Sequence, residues 1–586
     1  MQDSGSTHGI RDRLFPFLNW FKDYHAATLR SDLLAGLTVA VVLIPQAMAY
    51  AMLAGLPPVY GLYAAVTTPV IAALWGSLRQ LATGPIAIMS LLVLTTLTPI
   101  AEPGSQQYIE LALLLSFMVG ILYLLIGLLR MGVVMNFISH SAVKGFTSAA
   151  SLIIITTQLP NLLGISVHRH EYIFQKIMAV VKELPNIHFP TCILGIVAFI
   201  IIYGLKRWNK NIPAGLIALV VTTVAVVALR LHESGIAIVG ETPSGLPSLH
   251  VPLLDFQIIS SLMGPMVVIA LVSFAETYSV GKAISGETKQ KLDVDQEFIG
   301  QGLANFIGSF FQSYPVSGSF SRTAINFATG AKTGISSAFS SLLVVLALLF
   351  LTPLFTHIPK ATLAALVISA VLLLFNPKDV FALWKMNRHD GIVAITVFVL
   401  ALLTKPDYAL LIGVMVSMMF FLWKTMRPRV VRVSKDPELN MFLNADEFNK
   451  PSCPQILHLR SDNAMYFANA EYTVEHIIER LDEQTTPVKF LLLDFEAVGF
   501  IDITGVEAMR VLMEEAETRG IEVALMTLRR PVKEVLKSSG FADEMKEENL
   551  INYRGEAVGV LFQHIDHTYC KDTCPYSLFF ECKTVK

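Results

Sequence analysis

Between about Leu33 and Trp423 the chain is a nearly continuous series of long apolar runs, and past about Arg427 that pattern stops. A helix that crosses a bilayer needs about 20 mostly apolar residues. Twelve stretches meet that description: 33–54, 60–76, 108–129, 134–157, 190–205, 213–231, 256–280, 298–312, 334–355, 361–375, 390–404 and 407–424. Two shorter apolar stretches, 86–98 and 320–329, are interrupted by Gly, Pro or Ser, which brings the number to about fourteen. Composition agrees: of 586 residues 53% are hydrophobic and 15% charged, where a soluble domain carries about 25% charged. A simple soluble enzyme and a disordered chain are both excluded, since disorder requires low hydrophobicity and high charge. The 44 basic and 46 acidic residues nearly cancel, to −2, so nucleic acid is not an expected partner.

The charges that remain are segregated. Arg11, Arg13, Lys22 and Arg30 precede the first span, and Lys424, Arg427, Arg429 and Arg432 follow the last. Basic residues collect on the cytoplasmic side, so both termini are expected there, with an even number of crossings. Lys206, Arg207 and Lys210, then Lys282, Lys289 and Lys291, then Lys378, Lys385 and Arg388 fall inside when fourteen are counted; Arg169, Lys176 and Lys182 are exceptions in the longest outer loop. The first span is too long for a cleaved signal peptide and no small-residue cleavage site leads out of it. The expected division is a cytoplasmic segment 1–30, a transport domain 31–426, a linker 427–453, an α/β domain 454–566 and a cysteine-containing tail 567–586.

The two interrupted segments carry most of the functional signal. Ala82-Thr83-Gly84-Pro85-Ile86-Ala87 and Tyr314-Pro315-Val316-Ser317-Gly318-Ser319-Phe320-Ser321-Arg322 each begin extended and then turn helical. They stand third and tenth of fourteen, so each is third in its half of seven. Paired broken helices in corresponding positions point to an inverted-repeat transporter with a midplane site. Free N–H groups and the positive dipole end of each half-helix favour an anion there; the competing reading is a pair of kinks used only for packing. Arg322 strengthens the first reading, because a charge at membrane depth normally faces a cavity or a partner and guanidinium suits oxyanions. Ser319, one turn earlier, offers a hydroxyl. The rival for Arg322 is snorkelling, or a structural ion pair with Glu276, the other charge inside an apolar span. Glu276 can instead be neutralised by a proton or a cation, which would couple anion movement to a gradient. Pro45 kinks the first span, and Gln46 and Tyr50, four residues apart, share one helix face, although each alone also serves as helix–helix contact. Lys144 sits near a span end and snorkels.

Pro45-Gln46-Ala47-Met48-Ala49-Tyr50-Ala51, Ala54-Gly55-Leu56-Pro57-Pro58-Val59-Tyr60-Gly61-Leu62-Tyr63, Thr83-Gly84-Pro85 and Gly318-Ser319-Phe320-Ser321-Arg322-Thr323 resemble the SulP family of anion transporters. The resemblance covers nearly the whole chain. It implies an α-helical polytopic membrane protein with a seven-plus-seven inverted repeat, split into core and gate domains as in uracil permeases, usually dimeric and moving its core like an elevator. By position, Gln46 and Tyr50 look like first-helix substrate contacts, Ala87 like the tip of the first half-helix, Ser319, Phe320 and Arg322 like the second half-helix contacts, and Glu276 like the acid associated with cation coupling. The combination is most similar to proton-coupled sulfate permeases of the cytoplasmic membrane. Sodium-coupled bicarbonate and proton-coupled dicarboxylate carriers share the scaffold, and a sensor or scaffold signalling through the soluble domain is a reading of another class. No cofactor is implied.

Beyond Pro454 the pattern becomes an α/β alternation: strands at 455–459, 490–495 and 523–526, helices at 470–484 and 531–539. Leu493-Asp494-Phe495-Glu496-Ala497-Val498 and Phe500-Ile501-Asp502-Ile503-Thr504-Gly505 resemble the STAS domain. Some of its members carry a phosphorylatable Ser directly after the acid; here Ile503 stands there, and Thr504 is the expected cap of a helix over 505–518. A cytoplasmic protein partner is the expectation for this domain, and no enzymatic motif is present. Cys570, Cys574 and Cys582, with His564 and His567 upstream, offer enough ligands for zinc or an iron–sulfur cluster at a non-standard spacing, the alternative being a mobile or docking tail. Cys192 is expected as packing within a span, and Cys453 lies in the linker.

Overall fold

The computed structural model describes residues 14–585 apart from 168–171, 210–211, 241–242, 244, 373, 405, 437–440 and 487. Arg11, Arg13, Arg169 and Lys210, used above for orientation, lie outside the described residues. The chain forms two compact units, 1–417 and 418–586.

In the first unit a helix occupies every one of the fourteen expected segments: α1 (Ala26–Leu53), α2 (Val59–Trp75), α3 (Ala87–Leu97), α4 (Gln106–Leu128), α5 (His140–Leu163), α6 (Phe189–Trp208), α7 (Ala214–Ala228), α8 (Phe256–Thr288), α9 (Val294–Phe310), α10 (Phe320–Ala328), α11 (Ile335–Phe350), α12 (Lys360–Val371), α13 (Arg388–Leu403) and α14 (Pro406–Met426), the last crossing into the second unit. Among the described residues six stretches, in α1, α4, α5, α6, α8 and α14, are long and apolar enough to cross a membrane. The whole of α5 is shifted six residues from expectation: the chain makes a 3-10 turn over Gly132–Phe137, and Ser139 caps the helix that begins at His140, its hydroxyl accepting from Ser141 N.

The helices pack in two groups. The first joins α1, α2, α3, α4, α8, α9, α10 and α11, with α9 lying along α4 and α2 and α11 along α1; the second joins α5, α6, α7, α12 and α13. Contacts of α12 and α7 with α1, and of α3 with α5, link the groups. Apolar side chains coat the outside as well as the inside. Val220, Val221, Val224 and Val227 of α7 are about half exposed, an arrangement stable only against lipid.

Two very short strands, β1 (Thr83–Gly84) and β2 (Ser317–Gly318), pair antiparallel, Thr83 with Gly318 and Gly84 with Ser317. Each strand runs straight into a half-helix, β1 into α3 and β2 into α10. Because the strands are antiparallel, the two half-helices leave the ribbon in opposite directions with their N-termini facing.

The second unit is a six-stranded sheet in the order β4-β3-β5-β6-β7-β8. Strands β5 (Ile456–Ser461), β6 (Phe490–Asp494), β7 (Glu522–Met526) and β8 (Leu550–Ile551) are parallel; β3 (Val430–Asp436) and β4 (Met441–Asn444) add antiparallel. The longer helices are α15 (Ala470–Asp482), α16 (Ile503–Thr518), α17 (Arg530–Ser538), α18 (Arg554–Phe562) and α19 (His567–Asp572). Alternation along β6 divides the core: Leu491 and Leu493 face the apolar layer that includes α15, α16 and α17, while Phe490 and Leu492 face the layer beneath α18 and α19. Three expectations change here. Residues 427–453, read as linker, supply two strands of the sheet, β4 at its edge and β3 between β4 and β5. Asp502, not Thr504, caps α16, its carboxylate accepting from Gly505 N at 2.8 Å while Thr504 sits inside the helix. The tail, expected as mobile or docking, folds against its own domain: α19 packs on the sheet, and Cys570 is 7% exposed.

Candidate functional site

The site is built from the ribbon outward. Pro85 biases Gly84 to extended backbone and has no N–H to give. Ile86 is also extended and has no capping side chain, so the first N–H groups of α3, at Ala87, Ile88 and Met89, have no acceptor among the described residues. Ala87 itself is 6% exposed and presents only a methyl group and its backbone. On the opposite side Ser319 caps α10, its hydroxyl accepting from Arg322 N at 3.4 Å, and Ser319 N donates to Ala82 O at 2.9 Å.

Arg322 is fully buried. One guanidinium nitrogen, Nη1, donates to Pro85 O at 2.8 Å, whereas Nε and Nη2 are buried without a partner. No ion pair joins Arg322 to Glu276, whose Oε2 is likewise buried and unpartnered, so the purely structural bridge between them is not formed. Tyr50, Tyr314 and Glu276 lie within electrostatic range of the guanidinium. Gln46, on the Tyr50 side of α1, has a buried, unpartnered Oε1, and Tyr50 is 5% exposed. Gln46, Tyr50, Ala87, Glu276, Ser319 and Arg322 are thus held in the half-helix region of the first group of helices. Phe320 differs: its ring is 56% exposed, at the first turn of α10.

Gly84 shows how tightly the ribbon fits. Its φ is +148°, a value that side chains rarely adopt, and a Cβ there would stand 3.2 Å from Arg322 Nη2. The ribbon is pinned from beneath by polar side chains that sequence reasoning did not single out. Thr277 Oγ1 accepts from Gly318 N at 3.0 Å, Asn305 Oδ1 from Val316 N at 2.9 Å, and Thr323 Oγ1 from Ala82 N at 2.9 Å. Gln301 Nε2 donates to Thr83 Oγ1 at 2.8 Å and reaches Glu297 Oε1 at 3.2 Å. The hydroxyls of Tyr314 and Ser90 are 3.1 Å apart.

Two further buried acids were missed. Glu297, 1% exposed, accepts from Ser77 N and Ser77 Oγ at 2.9 and 3.1 Å. Asp32, fully buried, accepts from Lys332 N, Thr333 N and Thr333 Oγ1 at 2.7, 3.1 and 2.6 Å. Both stand near the ends of their apolar runs, where an acid reads as a solvated loop residue. Only contacts more than two hundred residues away in sequence show otherwise.

In the second unit Cys453, Cys570, Cys574 and Cys582 line one small apolar pocket, so Cys453 joins the three tail cysteines. All are free thiols. Among the described residues no three His, Cys, Asp or Glu side chains are placed to hold a metal ion, and His567 Nε2 lies 2.7 Å from Phe562 O instead.

A helical body coated with apolar side chains, with two facing half-helices around a buried unpaired cation, defines a multi-pass membrane protein of the inverted-repeat transporter class. Comparison with known proteins refines that class. Residues 29–397 match the Sulfate permease family and residues 447–557 the STAS domain. The sulfate transporter 4.1, chloroplastic, of Arabidopsis thaliana is 34% identical over 96% of this chain and 84% of its own length. The sodium-independent sulfate anion transporter of Bos taurus is 33% identical over 89% and 88%. The murine Slc26a9 anion transporter in its inward-facing state superposes with a TM-score of 0.86 at 23% identity, covering 96% of this chain and 97% of that one. The transmembrane domain of the cyanobacterial bicarbonate transporter BicA gives 0.58 at 22%, covering 67% and 98%. The chain belongs to the sulfate permease family and carries a STAS domain behind its membrane body.

Proposed function

We propose that the protein is a secondary active transporter of a small inorganic oxyanion, with sulfate as the anion and a proton as the coupling ion. The observation that carries this reading is the Arg322 guanidinium, fully buried with two nitrogens unpartnered and no carboxylate against it. A buried, unpaired charge costs several kcal/mol, and an oxyanion accepting from Nε and Nη2 would offset that cost. The free N–H groups at Ala87, Ile88 and Met89, the Ser319 hydroxyl and the dipoles of α3 and α10 would add donors around the remaining oxygens. Gln46 and Tyr50 would close the site from α1, and Phe320 would flank its open side. The names of the curated relatives support sulfate over other anions.

Glu276 is the proposed coupling group. With Oε2 unpartnered it would carry a proton when the site is occupied and pair with Arg322 when it is empty, so that anion and proton move together. The two groups of helices fit a core that shifts against a gate, the elevator-like motion proposed for transport. Cytoplasmic termini, residence in the cytoplasmic membrane, a homodimeric assembly and a protein partner for the STAS domain belong to the same reading.

Radiolabelled sulfate uptake into proteoliposomes of the purified chain tests it. Saturable uptake accelerated by an inward proton gradient, competed poorly by bicarbonate and fumarate and indifferent to replacing sodium with potassium, is expected. Sodium-dependent bicarbonate accumulation, or binding without sustained net flux, would overturn it.

A further inference from the structure

The end of the first unit at which α1 begins carries a feature that the transport reading does not use. Residues Pro16–Asp23 form a 3-10 helix lying against α2. Its inner side is anchored: Phe17 packs edge-on to Trp75 and Trp20, Trp75 Nε1 donates to Leu14 O at 3.1 Å, and a Cβ at Gly334 would strike the Trp20 ring at 2.3 Å. Its outer side shows Leu14, Phe15, Leu18 and Phe21, 38–55% exposed. An anchored segment with an apolar outer face is suited to the interfacial layer of a bilayer.

Beside it opens a pocket of about 310 Å³ lined by Trp20, His25, Thr28, Arg79 and Lys332 among others, with no acidic residue in its wall. A second pocket of about 160 Å³ shares Trp20 and Arg79 and adds Lys291 together with Asp293, whose carboxylate accepts from Gln296 N at 3.0 Å. Neither the Arg79 guanidinium nor the Lys332 ammonium has an ion-pair partner among the described residues. Of the nearby acids, Asp32 is buried and committed to Lys332 N and Thr333. α1 also opens onto this pocket, and no side chain caps its first turn, which adds a positive dipole end.

We propose that this pocket binds the headgroup phosphate of an anionic phospholipid whose acyl chains lie along the outer face of residues 14–21. Arg79 offers a planar fork to phosphate oxygens, Lys332 a mobile second charge, and the exposed Leu and Phe side chains the apolar surface that a free anion would not need. Each basic group near an anionic surface contributes about 1 kcal/mol, so the pair discriminates against a zwitterionic lipid by roughly thirtyfold.

The test uses the full-length chain, delipidated in detergent. Phosphatidylglycerol should raise the melting temperature by several degrees and remain bound in native mass spectra, and phosphatidylcholine should do neither. Lys332→Gln, at an exposed position, should lower lipid retention about fivefold, and Arg79→Gln with Lys332→Gln should abolish the difference between the two lipids. Inorganic phosphate producing a thermal shift in the wild type that is lost in the Arg79→Gln, Lys332→Gln double variant would overturn the proposal in favour of a free-anion site, whereas a shift that the double variant keeps belongs to the Arg322 site. Equal retention of both lipids by the wild type would overturn it as well. Should the double variant fail to fold, retention by Lys332→Gln alone decides.

Discussion

At the scale of single residues, the molecule is organised by the few charges that its apolar body tolerates. Asp32 and Glu297 are satisfied by nearby N–H and O–H donors; Arg322 and Glu276 are not. That difference separates structural from functional burial, because a satisfied charge needs nothing further and an unsatisfied one needs a ligand or a proton. Replacing Arg322 with Gln should cost about 3 kcal/mol of anion affinity, roughly a hundredfold in apparent Kd. Lys at that position should recover only part of it, since a point charge cannot reproduce the fork; isothermal titration with sulfate reads both. Glu276→Gln should keep sulfate–sulfate exchange and lose acceleration by an inward proton gradient. Uptake measured with and without the gradient separates the two, and an undiminished gradient effect would remove Glu276 from the coupling role.

At the scale of elements, the site exists because two strands of two residues each stop a helix from forming too early. The Pro85 ring and the extended Ile86 delay α3, and Ser319 delays α10, so that free N–H groups face the ribbon. Both half-helices were legible from the Gly, Pro and Ser pattern. Their pairing through Thr83 and Gly318 was not, since 235 residues separate the partners and no local signal specifies a contact at that distance. Helix contacts depend equally on size. A Cβ at Gly61 of α2 would stand 1.9 Å from Ala47 O of α1, so Gly61→Ala must push α2 away from the helix that carries Gln46 and Tyr50. A loss of about 1–3 kcal/mol is expected, visible as a lower melting temperature together with weaker sulfate binding.

At the scale of the whole chain, a membrane body and a soluble α/β unit follow one another with different chemistry. Burial pushes the Cys453 thiol up to about 11 and raises that of Cys570 as well. At pH 8 about a thousandth of Cys453 would be thiolate, against about a quarter of an ordinary cysteine. Alkylation of Cys453 in the folded protein should therefore run at least about a hundredfold slower than in the unfolded chain, as peptide mass spectrometry after timed iodoacetamide labelling will show. Equal rates would mean that the tail does not cover it. Surface pairs in this unit act in the opposite direction on acids. Lys546, at 2.8 Å, holds the Glu522 carboxyl below its ordinary range. Its small contribution is present at neutral pH and is lost as pH falls through the lowered value.

The number and order of the apolar segments and the place of the two half-helices were determined by local sequence. Hydrophobic run length, Gly and Pro conformational bias and the cost of a charge in lipid all act over a few residues. The tertiary structure alone decided what depends on distant partners. It left Arg322 without a carboxylate, turned Asp32 and Glu297 inward, recruited 430–436 and 441–444 into the sheet, and brought Cys453 beside the tail cysteines. A residue's partners, and so its charge balance, are set by which helix or strand the fold lays against it.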